Sequence, residues 1–398
     1  MIIRDNSCGN LIPREYFDQV VERRGTAAVK WDKPMDEDVI PMWVADMDFR
    51  VAPPIIEAIQ RRAAHGIFGY VAVPEAYYQS TIDWFGRRHG WNIERDWIQY
   101  TIGVVPALSV IVKAFTHPGD KVLLMTPVYN CFFSSIRNNG CTMQESRLVY
   151  EDATYHIDFD DLERKAKPDD VKLLLLCNPH NPAGRVWTRD ELVRIGDICR
   201  RNNVIVVSDE IHCELVYGDN KYIPFASIDG HQDNCISCVS PSKSFNIAGL
   251  QNANIICANP GWRERIDRAI NVNEVCDVNP FGVDAWIAAY TQGEPWLNTL
   301  CDYIYDNYRL LSDTFRRELP ALTVTRLEGT YLAWIDCRSL HMSSDQLTQH
   351  LLDQAHVMVN SGTMYGEAGD GFIRINLACP RHFVVQALER IVPVLQQL

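Results

Sequence analysis

The chain has 398 residues, 47% hydrophobic and 22% charged, with a formal net charge of −13. That length buries a large core and exceeds what one average domain needs, so one large domain with a smaller companion is expected. The negative balance disfavours nucleic acid as a partner, the polar start from Met1 to Ser7 lacks a signal-peptide core, and no later stretch has the unbroken apolar length of a membrane span, so a cytoplasmic location is expected.

In chain order, Gly103-Val-Val-Pro106 precedes a helical pattern over 107–115, where the amides of Val104 and Val105 would face an anion at a helix amino terminus. A strand over 121–125 follows and leads to Pro127-Val-Tyr-Asn130. A second over 171–176 leads to Asn178-Pro-His-Asn-Pro-Ala-Gly184, whose prolines and glycine predict turns. Strands over 204–207 and 236–239 run into Ser208-Asp-Glu-Ile-His212 and Ser240-Pro-Ser-Lys-Ser-Phe-Asn-Ile-Ala-Gly-Leu250. Such runs alternate with amphipathic helical stretches, which argues for a mostly parallel sheet covered by helices, with ligands gathered outside the strands' carboxyl ends. Cys235-Ile-Ser-Cys238 has CxxC spacing, but no second pair or nearby histidines complete a zinc site. With 13 cysteines, an odd number, reduced and mostly buried thiols are expected. Helical pattern continues over 284–318, and strand-like runs at 329–335 and 371–376 close the chain's regular elements.

The chemistry sits in the loops after these strands. Lys243, in a small-residue loop, can form a Schiff base with an aldehyde. Asp209, at the end of a buried strand, can keep a pyridinium nitrogen protonated, or can simply cap the following turn. Ser240 and Ser242 flank the lysine, and their hydroxyls together with backbone amides can hold a phosphate; a serine-rich turn is the plainer reading. Together these groups describe a site for pyridoxal 5′-phosphate (PLP). Arg374, in Phe372-Ile-Arg-Ile-Asn376, points to the opposite strand face from Ile373 and Ile375. Its guanidinium can grip a substrate α-carboxylate with two parallel hydrogen bonds, the alternative being a solvated arginine on an edge strand.

These motifs, with Trp43-Val-Ala-Asp-Met-Asp-Phe49 and Phe68-Gly-Tyr70, resemble the fold-type I PLP enzymes of the aminotransferase class I/II group from about Trp43 to about Arg381. Within that group the chain is most similar to the MalY/PatB-type carbon-sulfur lyases, which are cystathionine β-lyase-like. The resemblance implies an α/β fold: a large domain, 48–285, with a mostly parallel seven-stranded sheet, and a discontinuous α+β domain of 1–47 and 286–398, joined by the 284–318 helical stretch. It implies a homodimer with shared active sites and an amino-acid substrate. Asn181, rather than Asn178, would donate to the cofactor's phenolic oxygen, and Tyr129 would lie over the pyridine face instead of being a core aromatic. Ser240 would lead Ser242 at the phosphate, where Tyr70 would arrive from the neighbouring subunit rather than being a packed aromatic at a helix end. Ala45 would join Arg374 at the substrate.

Two departures from the general aminotransferase pattern look like the lyase subgroup. Gln251 stands where many relatives place a phosphate-binding arginine, and His212 stands where aminotransferases commonly place a tyrosine, unless it is a core histidine. The expected function is cleavage of the Cβ–S bond of cystathionine or a related cysteine conjugate, with Lys243 as general base. An aminotransferase is the alternative enzyme, and a regulatory protein on a PLP-binding fold the alternative from another class.

Overall fold

The computed structural model describes residues 12–33 and 36–398; the polar start from Met1 to Ser7 lies outside them. Seven strands form the main sheet: β1 (Ile98–Thr101), β2 (Lys121–Thr126), β3 (Thr142–Arg147), β4 (Val171–Cys177), β5 (Ile205–Asp209), β6 (Cys235–Val239) and β7 (Ala253–Ile256). Their spatial order is β1-β7-β6-β5-β4-β2-β3. Only β7 runs against its neighbours; the other pairings are parallel. The interior strands β2, β4, β5 and β6 are nearly continuous apolar runs because both faces of the sheet are covered. On one face lie helices Val104–Phe115, Asn130–Asn138 and Pro260–Asn271, and on the other a larger core built by helices such as Pro53–His65, Glu75–His89 and Arg189–Arg201.

This two-sided cover settles the CxxC motif. Three residues apart on a strand, Cys235 and Cys238 face opposite sides of the sheet and belong to different cores, so they cannot share a metal. The sheet cysteines Cys177, Cys235 and Cys238 are free thiols.

Two expected helices differ from the sequence reading. The helix expected over 107–115 begins at Val104, because Pro106 falls in the first turn, where no intrahelical N–H is required, and Ala107 N donates to Gly103 O at 3.0 Å. The stretch 284–318 is two helices, Pro280–Gln292 and Glu294–Glu318. Pro295 has no N–H to give to the preceding turn, and the break falls at Gly293, where a Cβ would stand 2.5 Å from the Phe245 ring.

A second sheet holds β8 (Thr323–Val324), β9 (Leu332–Asp336), β10 (Asn360–Ser361) and β11 (Phe372–Asn376) in the antiparallel order β8-β9-β11-β10. It packs with helices Ser344–Ala355 and Arg381–Leu395 around a separate apolar core. Ile40–Pro41 pairs in parallel with Val357–Met358, tying the chain's beginning to this part. Helix Glu294–Glu318 spans both cores: Trp296, Leu300 and Ile304 pack into the large one, Leu311 and Phe315 into the small one. We therefore place the change of domain within this helix. The expected boundary at 285/286 falls inside helix Pro280–Gln292, whose Val283, Ala285 and Trp286 are buried in the large core.

Candidate active site

Strands β1, β2, β4, β5 and β6 share a direction, so the loops leaving them open on one edge of the sheet. That edge carries Val104 and Val105, Tyr129, Asn181, Asp209 and Lys243. The first turn of helix Val104–Phe115 has no side-chain cap, leaving its amides for an anion.

Lys243 is half-buried, and its Nζ donates to the carbonyl of Ala45 at 2.6 Å. Burial, then the Arg374 guanidinium, pushes its ammonium pKa down, against the pull of Asp46 and Asp209. Asp209 is buried at the end of β5, and burial raises its carboxyl to about 7. Its Oδ1 accepts from the Ile211 amide at 3.1 Å, so the aspartate caps the turn as well as facing the site. His212 is buried too, and burial followed by the charges of Lys243 and Arg374 lowers it to about 3, which makes it a neutral imidazole. Its Nδ1 is buried without a partner, and its ring stands edge-on to Tyr331 at 5.7 Å. Burial also raises the Tyr129 phenol.

Arg374 arrives from the second sheet. It sits on the interior strand β11 between Trp334 of β9 and Asn360 of β10 and is 3% exposed, which removes the solvated-edge reading. Its guanidinium donates to Asn181 Oδ1 at 3.2 Å and to the Trp43 carbonyl at 2.9 Å, with the Tyr365 ring 4.9 Å away. Its Nε is buried and unpartnered. A buried cation held by neutral oxygens, with a donor to spare, is prepared for a carboxylate.

A family model described as aminotransferase class I and II matches residues 37–391. The chain belongs to this family. It is 41% identical over 380 residues to the cystathionine beta-lyase PatB of Bacillus subtilis (strain 168), covering 94% of this chain and 98% of that one. Among solved structures, cystalysin from Treponema denticola, which contains a pyridoxal 5′-phosphate cofactor, aligns with a TM-score of 0.93 and 36% identity over 96% of this chain and 98% of that one. The PLP-bound C-S lyase from Staphylococcus hominis aligns with a TM-score of 0.89 and 34% identity over 95% and 98%. The seven-stranded sheet and its strand-end site are thus the PLP fold type I of the aminotransferase class I and II family.

The residues present fit PLP. A half-buried lysine of lowered basicity, a buried acid at a strand end, an uncapped helix amino terminus and two buried unpartnered nitrogens, His212 Nδ1 and Arg374 Nε, all lie at the site. Two of the expected phosphate contacts, Ser240 and Tyr70, have these surroundings within one chain. Ser240 is buried, and its hydroxyl donates to the Asn252 carbonyl at 2.7 Å while accepting from the Ser242 amide at 3.1 Å, so its proton is spent inside the loop. The Ser242 side chain is half-buried. Tyr70 is 96% exposed in the coil after helix Pro53–His65; it is not a packed aromatic, and within one chain it is not brought to the other site residues. Gln251 is exposed, in a left-handed backbone conformation with φ of 50°.

Other residues join the site without having been singled out. Tyr331 donates through its hydroxyl to Ala45 O at 2.9 Å, and Asn376 and Asn246 bind the main chain around it. Tyr331 lay inside a run legible only as a strand, and Tyr365 lay in no motif at all. For Asn376 the alternation used to orient Arg374 was a usable signal, since a residue two further along the strand shares its face.

Proposed function

We propose that this protein is a homodimeric, cytoplasmic, PLP-dependent lyase that splits the Cβ–S bond of cystathionine or a related cysteine conjugate. With cystathionine and water the products are homocysteine, pyruvate and ammonia. The site geometry supports amino-acid chemistry at Cα, and the observation that carries the choice of lyase is the 41% identity to a cystathionine beta-lyase across 94% of the chain. The free thiols fit a reducing compartment, and no helix among the described residues is long and apolar enough to cross a membrane.

When bound, the cofactor supplies an aldehyde for Schiff-base exchange and a ring that accepts electrons from Cα. The amides of Val104 and Val105 and the Ser242 hydroxyl would hold its phosphate, Asp209 its ring nitrogen, the Asn181 side-chain amide its phenolic oxygen, and Tyr129 one ring face. Arg374 would grip the α-carboxylate and so orient the substrate for removal of its Cα proton. Lys243, its basicity lowered by burial and Arg374, takes the proton from Cα. Loss of the thiolate from Cβ then leaves an aminoacrylate that water converts to pyruvate and ammonia.

The test uses purified protein with cystathionine and no keto acid. Pyruvate and thiol should appear in equal amounts over many turnovers, while alanine, which lacks a leaving group on Cβ, should yield no thiol and should only slowly pass its amino group to the cofactor, giving no more pyruvate than there is cofactor to aminate. Efficient amino-group exchange between ordinary amino acids and keto acids, with no thiol from sulfur substrates, would replace the lyase reading by the aminotransferase one, which the same family also accommodates.

The dimer rests on an apolar coil, with Ile67 and Phe68 mostly exposed beside Tyr70. A second copy covering that coil would bring Tyr70 to the neighbouring site's phosphate. Tyr70→Phe is expected to weaken cofactor retention. Mixing it with Lys243→Ala subunits should restore activity to one of the two sites in each heterodimer. Folded heterodimers that remain inactive would exclude the shared site.

A further inference from the structure

Lys243 lies in the turn after β6 of the main sheet and Arg374 on β11 of the second sheet, yet both reach the same short segment, Trp43 to Phe49. Arg374 donates to the Trp43 carbonyl at 2.9 Å and Lys243 to the Ala45 carbonyl at 2.6 Å. The segment is pinned from each side by an asparagine. Asn376, two residues beyond Arg374, donates through Nδ2 to Val44 O at 2.5 Å and Asp46 O at 2.7 Å. Asn246, three residues beyond Lys243, donates to Met47 O at 3.0 Å and Phe49 O at 2.9 Å and accepts from Met47 N at 3.1 Å. Both amide donors and the amide oxygen serve this clamp.

Asn246 is held in turn. Its φ of 56° lies in the left-handed region, which asparagine tolerates better than most side chains. The preceding Phe245 is fully buried and stacks on Trp296 at 5.8 Å, so the loop cannot slide to relieve a misplaced clamp. The segment therefore acts as a spacer between the base and the carboxylate grip, and its Ala45 carbonyl is the acceptor that orients the lysine amine. Shifting that carbonyl changes both where the amine points and how well its protonated form is stabilised.

We propose that Asn246 is a positioning residue for proton transfer by Lys243, acting through the main chain from Met47 to Ala45. It rests on the proposed function only in taking Lys243 as the base, a step the lyase and aminotransferase readings share.

The experiment compares Asn246→Gly, which keeps the left-handed backbone and deletes the clamp, with Asn246→Asp, which keeps the acceptor and deletes both donors. Each PLP-loaded variant is examined for exchange of the alanine α-proton in heavy water, for the pH midpoint of the visible absorbance of the lysine-bound cofactor, and for melting temperature. Exchange should slow by about 10- to 100-fold with little change in alanine KM, and the absorbance midpoint should move by about half a pH unit or more. Exchange within twofold of the parent and an unmoved midpoint would overturn the proposal, even if the melting temperature falls. Should neither variant fold, Tyr331→Phe, which removes the other side-chain donor to the Ala45 carbonyl, decides: a moved midpoint supports the proposal and an unmoved one overturns it. A parent enzyme that exchanges alanine but releases no pyruvate from cystathionine would defeat the lyase reading and leave this test intact.

Discussion

Lys243→Ala is expected to lower turnover by about four orders of magnitude or more, because one amine supplies both the covalent attachment and the general base. The rest of the site should survive the change. Asp209, Asn181 and the uncapped helix amino terminus do not depend on the lysine side chain for their positions, so the variant should still bind PLP, though without a covalent link. Borohydride reduction followed by peptide mapping provides the check. In the parent the reduced cofactor should appear on the peptide containing Lys243 alone, and in the variant on none. A label on another lysine, or turnover within tenfold of the parent, would remove Lys243 from the mechanism.

Asp209→Asn carries the second large effect, a loss of turnover of about a thousandfold, since a neutral amide cannot keep the ring nitrogen protonated as electrons arrive from Cα. The same substitution has a measurable consequence without cofactor. Burial raises the Asp209 carboxyl to about 7 in the folded chain, while an unfolded chain releases that proton near pH 4. Between those values the folded state holds a proton that the unfolded state has lost, so its stability falls as pH rises, by about 1.4 kcal/mol per pH unit. Below about pH 4 both states are protonated and the cost vanishes. Asparagine has no proton to hold. The melting temperature of cofactor-free Asp209→Asn relative to the parent should therefore climb between pH 4.5 and pH 7. A difference that stays flat across that range would mean the carboxyl is solvated in the folded chain and not buried.

Much of this site is legible in the sequence, because each motif is a strand followed by a loop and both are local features. The apolar runs of β4, β5 and β6 are contiguous in sequence, and the residues that follow each run, Asn178, Ser240 and the strand-end Asp209, must emerge at the same edge once the strands are parallel. Alternation along Phe372–Asn376 likewise turned Arg374 away from Ile373 and Ile375, which are buried in the small core. Local pattern misled where a single residue overrode it. The pattern places Pro106 before its helix although a first turn accepts it, and it runs on through Pro295 although the chain breaks beside it.

The sequence by itself determined the kind of sheet, the loops that carry chemistry and the residues from which a cofactor site could be assembled, since hydrophobic period and turn-forming residues act over a few positions. Only the tertiary structure decided which hydrogen-bonding groups remain free for that task. Ser240 spends its hydroxyl on Asn252, Arg374 keeps an unpaired Nε beside Asn181, and carbonyls between Trp43 and Phe49 are claimed by side chains from the second sheet and from the loop after β6. These partners are brought together by the packing of two cores and not by any spacing along the chain. A polar group buried there must be satisfied by whatever the fold places next to it.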